Sequence, residues 1–384
     1  MLHLGWEVEL YDRGPVSSAD SAATGISISR VVRTGPRGVV NPVSEFAALM
    51  HTVRDAGLLR RSRVFYFVNF GVITLALIGA WVGFAFLHNT WYSLLIAAAL
   101  GLIFTQYAFL GHEAAHRQIF ESGKTNEIAG RILADFFVGM SYSWWMNKHT
   151  RHHGNPNTVS KDPDIEPDFF VFLDEDAQKA KGLNAKFTER QAWFFFPALL
   201  LEGINLHRYA YKTVFSRGQV DKRAFSIALL MVRNVSYLAA VFAFMPLGMA
   251  FAFLGVQLGI FGLYMGASFA PNHIGMPILE ADSKVDFLRR QVLTSRNIKG
   301  GWFMNIFMGG LNYQVEHHLF PNMPRTHLRK ANEIVREYCQ AREITYTENG
   351  YFRAQAIVLD YLNRVGLKAG VNAFDCPSAM RYGR

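Results

Sequence analysis

Cysteine is almost absent from this chain of 384 residues, which holds only Cys339 and Cys376. That excludes a disulfide scaffold and every cysteine-built zinc or iron–sulfur centre, which need several thiolates close together. Charge is scarce too: 18% Asp, Glu, Lys and Arg against 51% hydrophobic residues excludes a disordered chain. There is no G-x-G-x-x-G fingerprint for a dinucleotide, no haem motif, and no internal repeat at a period of about 20–50 residues. The opening MLHLGWEVELYDRG lacks the basic stretch and apolar run of a secretory signal, so no cleaved leader is predicted.

Long uncharged runs are present instead. A mean hydropathy of +0.10 lies above most soluble domains and below a chain that is mostly bilayer. Residues 64–87 carry no charge, and at about 1.5 Å per residue such a run crosses a hydrocarbon core of about 30 Å. Residues 92–111 form a second such run, and the apolar tract 226–270 is divided near Pro246 and Gly248 into 226–245 and 249–270. Four spans in two tight hairpins are expected. Arg233 interrupts the third and is expected to snorkel to a headgroup.

Lys and Arg outnumber Asp and Glu by 39 to 30, a net charge of +9. Neither short connection, 88–91 or 246–248, contains Lys or Arg, whereas Arg60, Arg61 and Arg63 precede the first span. The positive-inside rule therefore places both termini and the segment 112–225 in the cytoplasm. This basic balance suits anionic headgroups or an acidic protein carrier, and nothing points to nucleic acid. The expected organisation is a flexible tail over 1–44, a membrane domain over 45–345 and a cytosolic extension over 346–384. Within it, 45–61 is expected to be a helix on the membrane surface, and 193–201 an interfacial stretch too short to cross.

Histidine is where the pattern sharpens. There are thirteen, and an H-x-x-H-H pattern is expected by chance only about 0.015 times in such a chain. It occurs once, as His149, His152 and His153. His112 and His116 precede it at the end of the second span, one helical turn apart; Gln314, His317 and His318 follow the fourth. Two crossings lie between the early and late groups, an even number, so all can meet on one side of the membrane. His273 sits at the same depth, just past the fourth span. Eight histidines and one glutamine suffice for two metals of four or five ligands each. Imidazole alone suits Fe, Zn, Cu or Ni.

The ordered motifs HEAAH at 112–116, KHTRHH at 148–153, PNHIG at 271–275 and GGLNYQVEHHLFP at 309–321 resemble the integral-membrane fatty-acid desaturases, over residues 45–345. A Gln at the head of the last box resembles the subgroup that includes the front-end enzymes. The resemblance implies an all-α membrane protein: four spans and a cytosolic helical cap holding a histidine-rich dimetal site. It implies two non-haem Fe ions and O2 as co-substrate, with removal of two hydrogens to give a cis double bond in a long acyl chain. It also implies His112, His116, His149, His152, His153, His317 and His318 as iron ligands, with His273 and Gln314 as further candidates. The substrate would be a long-chain acyl-CoA or acyl-lipid. Many front-end members carry a fused cytochrome b5 domain with a His-Pro-Gly-Gly motif, which this sequence lacks. Electrons are then expected from a separate ferredoxin or cytochrome and its NAD(P)H reductase.

Other readings compete. HEAAH alone is also the zincin signature, with Glu113 as general base, but that leaves the two later boxes without a role. The same iron centre could hydroxylate a lipid or alkane. A non-catalytic receptor or scaffold would need no metal. Glu113, Asp162, Asp164, Glu316, Asn157 and Asn312 are candidates to orient the imidazoles. Trp144, Trp145, Trp302 and Phe303 suit either an acyl tunnel or an interfacial belt. His3, His51, His88 and His207 are read as surface or interface residues, and His327 as one that caps a helix or supports a ligand from behind.

Overall fold

The structure, a computed structural model, describes residues 42–370. The expected tail up to residue 41, His3, Cys376 and the end of the C-terminal extension lie outside the described residues.

Among the described residues, four helices are long and apolar enough to cross a membrane: α2 (Arg63–Leu87), α3 (Ser93–Ala115), α9 (Arg223–Phe244) and α10 (Leu247–His273). Their number and pairing match the expectation, but two run further. Helix α3 continues through His112 to Ala115 because the charge on Glu113 is met by Arg325, as described below, and nothing before His116 breaks the helix. Helix α10 continues through Pro271 to His273, with the buried Arg296 donating to the Pro271 carbonyl at 2.8 Å and the Ile274 carbonyl at 3.2 Å. A cation on those open carbonyls at a helix C-terminus is favourable.

Around these lie α1 (Pro42–Asp55), α4 (Gly123–Arg131), a π-helical segment (Ile132–Val138), α5 (Tyr142–Gly154), α6 (Asp174–Lys179), α7 (Gly182–Glu189) and α8 (Gln191–Val214). After α10 come α11 (Phe287–Leu293), β1 (Asn297–Lys299), α12 (Gly301–Phe307), a 3₁₀ turn (Leu311–Tyr313), α13 (Gln314–Leu319), α14 (Arg325–Gln340), β2 (Glu348–Gly350) and α15 (Tyr351–Gly366). The two strands pair in parallel, Ile298 opposite Asn349.

Helix α8 includes 193–201 and does not qualify as a span; it lies along α10. The approach is close because both helices present glycine: a β-carbon at Gly203 would run into the Leu258 carbonyl, and one at Gly262 into the Leu199 carbonyl. Small residues at a crossing let backbones touch, which is how helices pack where lipid offers no hydrophobic drive. Val358 and Leu362 of α15 bury against Phe195 and Leu199 of α8, so the chain beyond residue 345 is part of this packing.

Two expectations are corrected. Helix α1 does not lay its apolar face on lipid: Leu49 and Val53 are fully buried with Leu288, Val335 and Tyr338 of α11 and α14. Arg233 does not snorkel. It is 7% exposed, with its guanidinium 4.8 Å from the Phe104 ring centroid and 4.5 Å from that of Tyr237, and it donates to Asn234 Oδ1 at 3.0 Å. Ten residues into a span, two aromatic faces are nearer than the headgroups, and a cation over a desolvated ring is stabilised by about 2 kcal/mol.

Candidate metal centre

Four elements bring the histidines together. Helix α3 supplies His112 and, at its C-cap, His116. Helix α5 starts on Ser141, whose hydroxyl accepts from the Trp144 N–H, and must end at Gly154 before Asn155 and Pro156. It carries His149 and, in its last turn, His152 and His153. His273 closes α10, and the short α13 carries Gln314, His317 and His318. All nine residues singled out in the sequence converge.

They form two adjoining sets. His112, His116, His149, His153 and His317 have ligand nitrogens all within 4.8 Å of one another; so do His152, His273 and His318. The His153 and His318 rings stack between the sets with centroids 4.2 Å apart. Gln314 joins the second set, its amide nitrogen 2.9 Å from His273 Nε2.

The outward nitrogens show which tautomers are held. His152 Nδ1 lies 3.0 Å from Asp162 Oδ2, His273 Nδ1 2.9 Å from the Thr294 carbonyl, and His318 Nδ1 2.9 Å from Gln291 Oε1. Each acceptor places the proton on Nδ1 and leaves a bare Nε2 facing inward, the form in which imidazole binds metal. Asp162 is itself held by the N–H groups of Asn157 and Asp164.

Inside, nitrogens face nitrogens. His149 Nε2 is 2.8 Å from His116 Nε2 and 3.2 Å from His112 Nε2, and His153 Nε2 is 3.1 Å from His317 Nε2. One proton can satisfy only one such contact. His318 Nε2 is buried with no hydrogen-bond partner. Burial and the neighbouring imidazoles hold His149, His153, His317 and His318 well below the usual histidine pKa, and burial alone takes His116 to about 3. His152 differs: burial works against its charge, but Asp164 and Asp162 outweigh that and raise its pKa. Inward-facing imidazole nitrogens of this number, most of them held neutral, fit divalent metal.

The remaining candidates separate by contact. Asp162 and Asp164 touch His152, and Asn157 donates to the His273 carbonyl. Among the described residues Glu316 makes no hydrogen bond or ion pair with an imidazole; it accepts from Tyr346 at 2.6 Å and Asn297 at 2.7 Å, and burial pushes its carboxyl up to about 7. No hydrogen bond among the described residues joins Asn312 to a histidine. Glu113 is gripped by Arg325 through two bonds of 2.6 Å, both side chains buried. Trp145 stacks on His149 at 4.2 Å, whereas Trp302 and Phe303 are exposed. His327 bonds the Leu58 carbonyl at 2.7 Å, tying α14 to the approach to α2. Gln291, Thr294, Asn272 and Arg325 were not foreseen. Isolated amides and backbone carbonyls leave no spacing signature, and only the histidines they serve could have pointed to them.

A cavity of about 1600 Å³ lies on the opposite face of α5, lined by Trp144, Lys148, Arg151, Glu202 and Tyr209 and reaching Ala114 and Ala115. None of the eight histidines is among its lining residues.

Residues 89–350 match the family described as "Fatty acid desaturase". The chain belongs to the fatty acid desaturase family. Among curated relatives, this desaturase is 29% identical over 340 residues to the Delta(6)-fatty-acid desaturase fat-3 of Caenorhabditis elegans, covering 84% of this chain and 75% of that one. It is 27% identical over 295 residues to the Delta(8)-fatty-acid desaturase 2 of Arabidopsis thaliana, covering 73% and 65%. To the acyl-lipid (9-3)-desaturase of Borago officinalis it is 24% identical over 340 residues, covering 85% and 75%. The alignments thus leave 25% to 35% of each relative unmatched. Family, apolar helices and histidine clusters together make this desaturase a membrane-embedded enzyme of lipid metabolism.

Proposed function

We propose that this desaturase introduces a cis double bond into a long acyl chain, presented as acyl-CoA or acyl-lipid, with two non-haem irons held by the eight clustered histidines. The observation that carries the reading is the pair of imidazole sets with inward-facing bare nitrogens. Irons bound there supply the oxidising power that an unactivated methylene demands and ordinary side-chain bases lack. Overall, two hydrogens leave the acyl chain and O2 takes up two further electrons and two protons, giving one double bond and two waters. The electrons come from a separate ferredoxin or cytochrome with its NAD(P)H reductase.

The protein's own residues hold geometry and keep water out. Asp162, the Thr294 carbonyl and Gln291 fix three rings in the ligating tautomer. Trp145 covers His149 with an apolar face. The cavity beside Ala114 and Ala115 is suited to the polar end of the substrate, with Lys148 and Arg151 on its wall. Arg60 and Arg61 before α2, with Arg63 at its start, favour placing this face and both termini in the cytoplasm. The HEAAH protease reading has nothing to support it, because both oxygens of Glu113 are engaged by Arg325 and cannot serve as a base.

Two measurements test the proposal: metal content of the purified protein, and mass spectrometry of lipids from a host with a simple lipid profile. Two irons per chain and new unsaturation at one carbon are expected. One zinc per chain, or hydroxylated product in place of unsaturated product, would replace this reading.

A further inference from the structure

Behind the second histidine set, four groups fix one another in one order. Asn272 is fully buried, and its Nδ2 faces the backbone carbonyls of Leu311 at 3.2 Å and Ser268 at 3.4 Å. Carbonyls accept and never donate, so that end of the amide is the nitrogen. The same Nδ2 is 3.0 Å from Gln314 Oε1. Gln314 must therefore turn its oxygen toward Asn272 and its nitrogen toward His273 Nε2. His273 carries its proton on Nδ1, against the Thr294 carbonyl, so its Nε2 is a lone pair and receives the Gln314 N–H. Reversing Gln314 would set donor against donor at Asn272 and acceptor against acceptor at His273. Three backbone carbonyls thus dictate which atom of Gln314 faces the cluster.

That atom has no lone pair to give, because an amide nitrogen shares its electrons with the carbonyl. We propose that Gln314 is a hydrogen-bond donor to the interior of the histidine cluster and not a metal ligand, and that Asn272 is the positioning residue that keeps its amide so turned. The proposal rests on the dimetal reading above. With the His273 lone pair engaged by metal, the Gln314 N–H is free for an oxygen atom of water or dioxygen in the same space.

The test uses the full-length protein loaded with iron-57. Gln314→Ala should keep two irons per chain and the wild-type Mössbauer parameters, while desaturation falls roughly 10- to 100-fold, as when other outer partners are removed. Asn272→Asp removes the donor, so the Gln314 nitrogen turns to the new carboxylate and its oxygen turns inward; the spectrum of one iron should then change. Adding Gln314→Ala to Asn272→Asp should restore the wild-type spectrum. A purely structural Asn272 would not give that reversal. Loss of iron in Gln314→Ala, no spectral change in Asn272→Asp, or a change that persists in the double variant overturns the proposal. Should Gln314→Ala fail to fold, Gln314→Leu fills a similar volume, has no lone pair to offer a metal and carries the same expectations. Wild-type protein without two irons would instead overturn the function proposed above.

Discussion

The spanning helices divide into an outer pair, α2 and α9, and an inner pair, α3 and α10, of nearly equal hydropathy. Their surroundings are not equal. Within their most apolar stretches, 50% of α3 and 39% of α10 are buried in the protein, against 17% of α2 and 22% of α9. The outer pair turns Val64, Phe67, Val72 and Leu75, or Val232 and Val235, away from the bundle. The inner pair carries the glycines of close crossings and ends in His112, His116 and His273. Overall greasiness buys insertion; what separates a lipid-facing helix from a site-bearing one is where its small and polar residues fall.

The sharpest challenge to that division is His112→Ala on the inner α3. It should abolish the unsaturated product and lower bound iron, by more than the roughly 100-fold upper figure for an outer partner, as read by product analysis and metal content. Next is the α8–α10 crossing: Gly262→Leu would drive a side chain into the α8 backbone. A stability loss of about 3 kcal/mol is expected, seen as a lower thermal transition in detergent.

A third prediction probes the π-helical segment, which packs against both inner α3 and outer α9. Burial pushes the carboxyl of its Asp135 up to about 6 from an ordinary 3.8, against hydrogen bonds from Ser226 and the Tyr142 N–H. Between those two pH values the folded protein keeps a proton that the unfolded chain releases. The contribution of Asp135 to stability should therefore be most favourable below pH 3.8, fall by about 2 to 3 kcal/mol as pH rises to 6, and level off above. Asp135→Asn should flatten that part of the stability profile of metal-free protein. Asp162→Asn, which removes the acceptor behind His152, should weaken metal retention about 10- to 100-fold in a chelator competition. Smallest is Gly71→Ala on the outer α2, where nothing lies within 4 Å of the new methyl. It should leave activity unchanged and move stability by less than about 1 kcal/mol, and a large loss there would erase the contrast between the pairs.

The parts legible in the sequence are those written as a period or a run. Uncharged stretches marked the four spans, and histidines one turn apart marked the three boxes and their shared side. His273 could be placed because a lone histidine stood at the right depth. What fixes those rings was not legible, since Gln291, Asn272 and the Thr294 carbonyl act singly from segments without a pattern. Arg233 and α1 were misjudged for a related reason. A hydrophobic or charged residue shows what it needs, while only the fold shows whether lipid, an aromatic ring or another helix provides it.

The ion pair between Glu113 and Arg325 joins residues 212 positions apart. At about 5 to 20 residues per second of synthesis, Glu113 waits roughly 10 to 40 s for its partner to be made. A carboxylate left alone at that depth is unfavourable, so α3 would settle fully only when α14 arrives. Iron loading would then be a late event of biogenesis, and a chain stalled before Arg325 would sit in the membrane with spans inserted and its first histidine box unfinished.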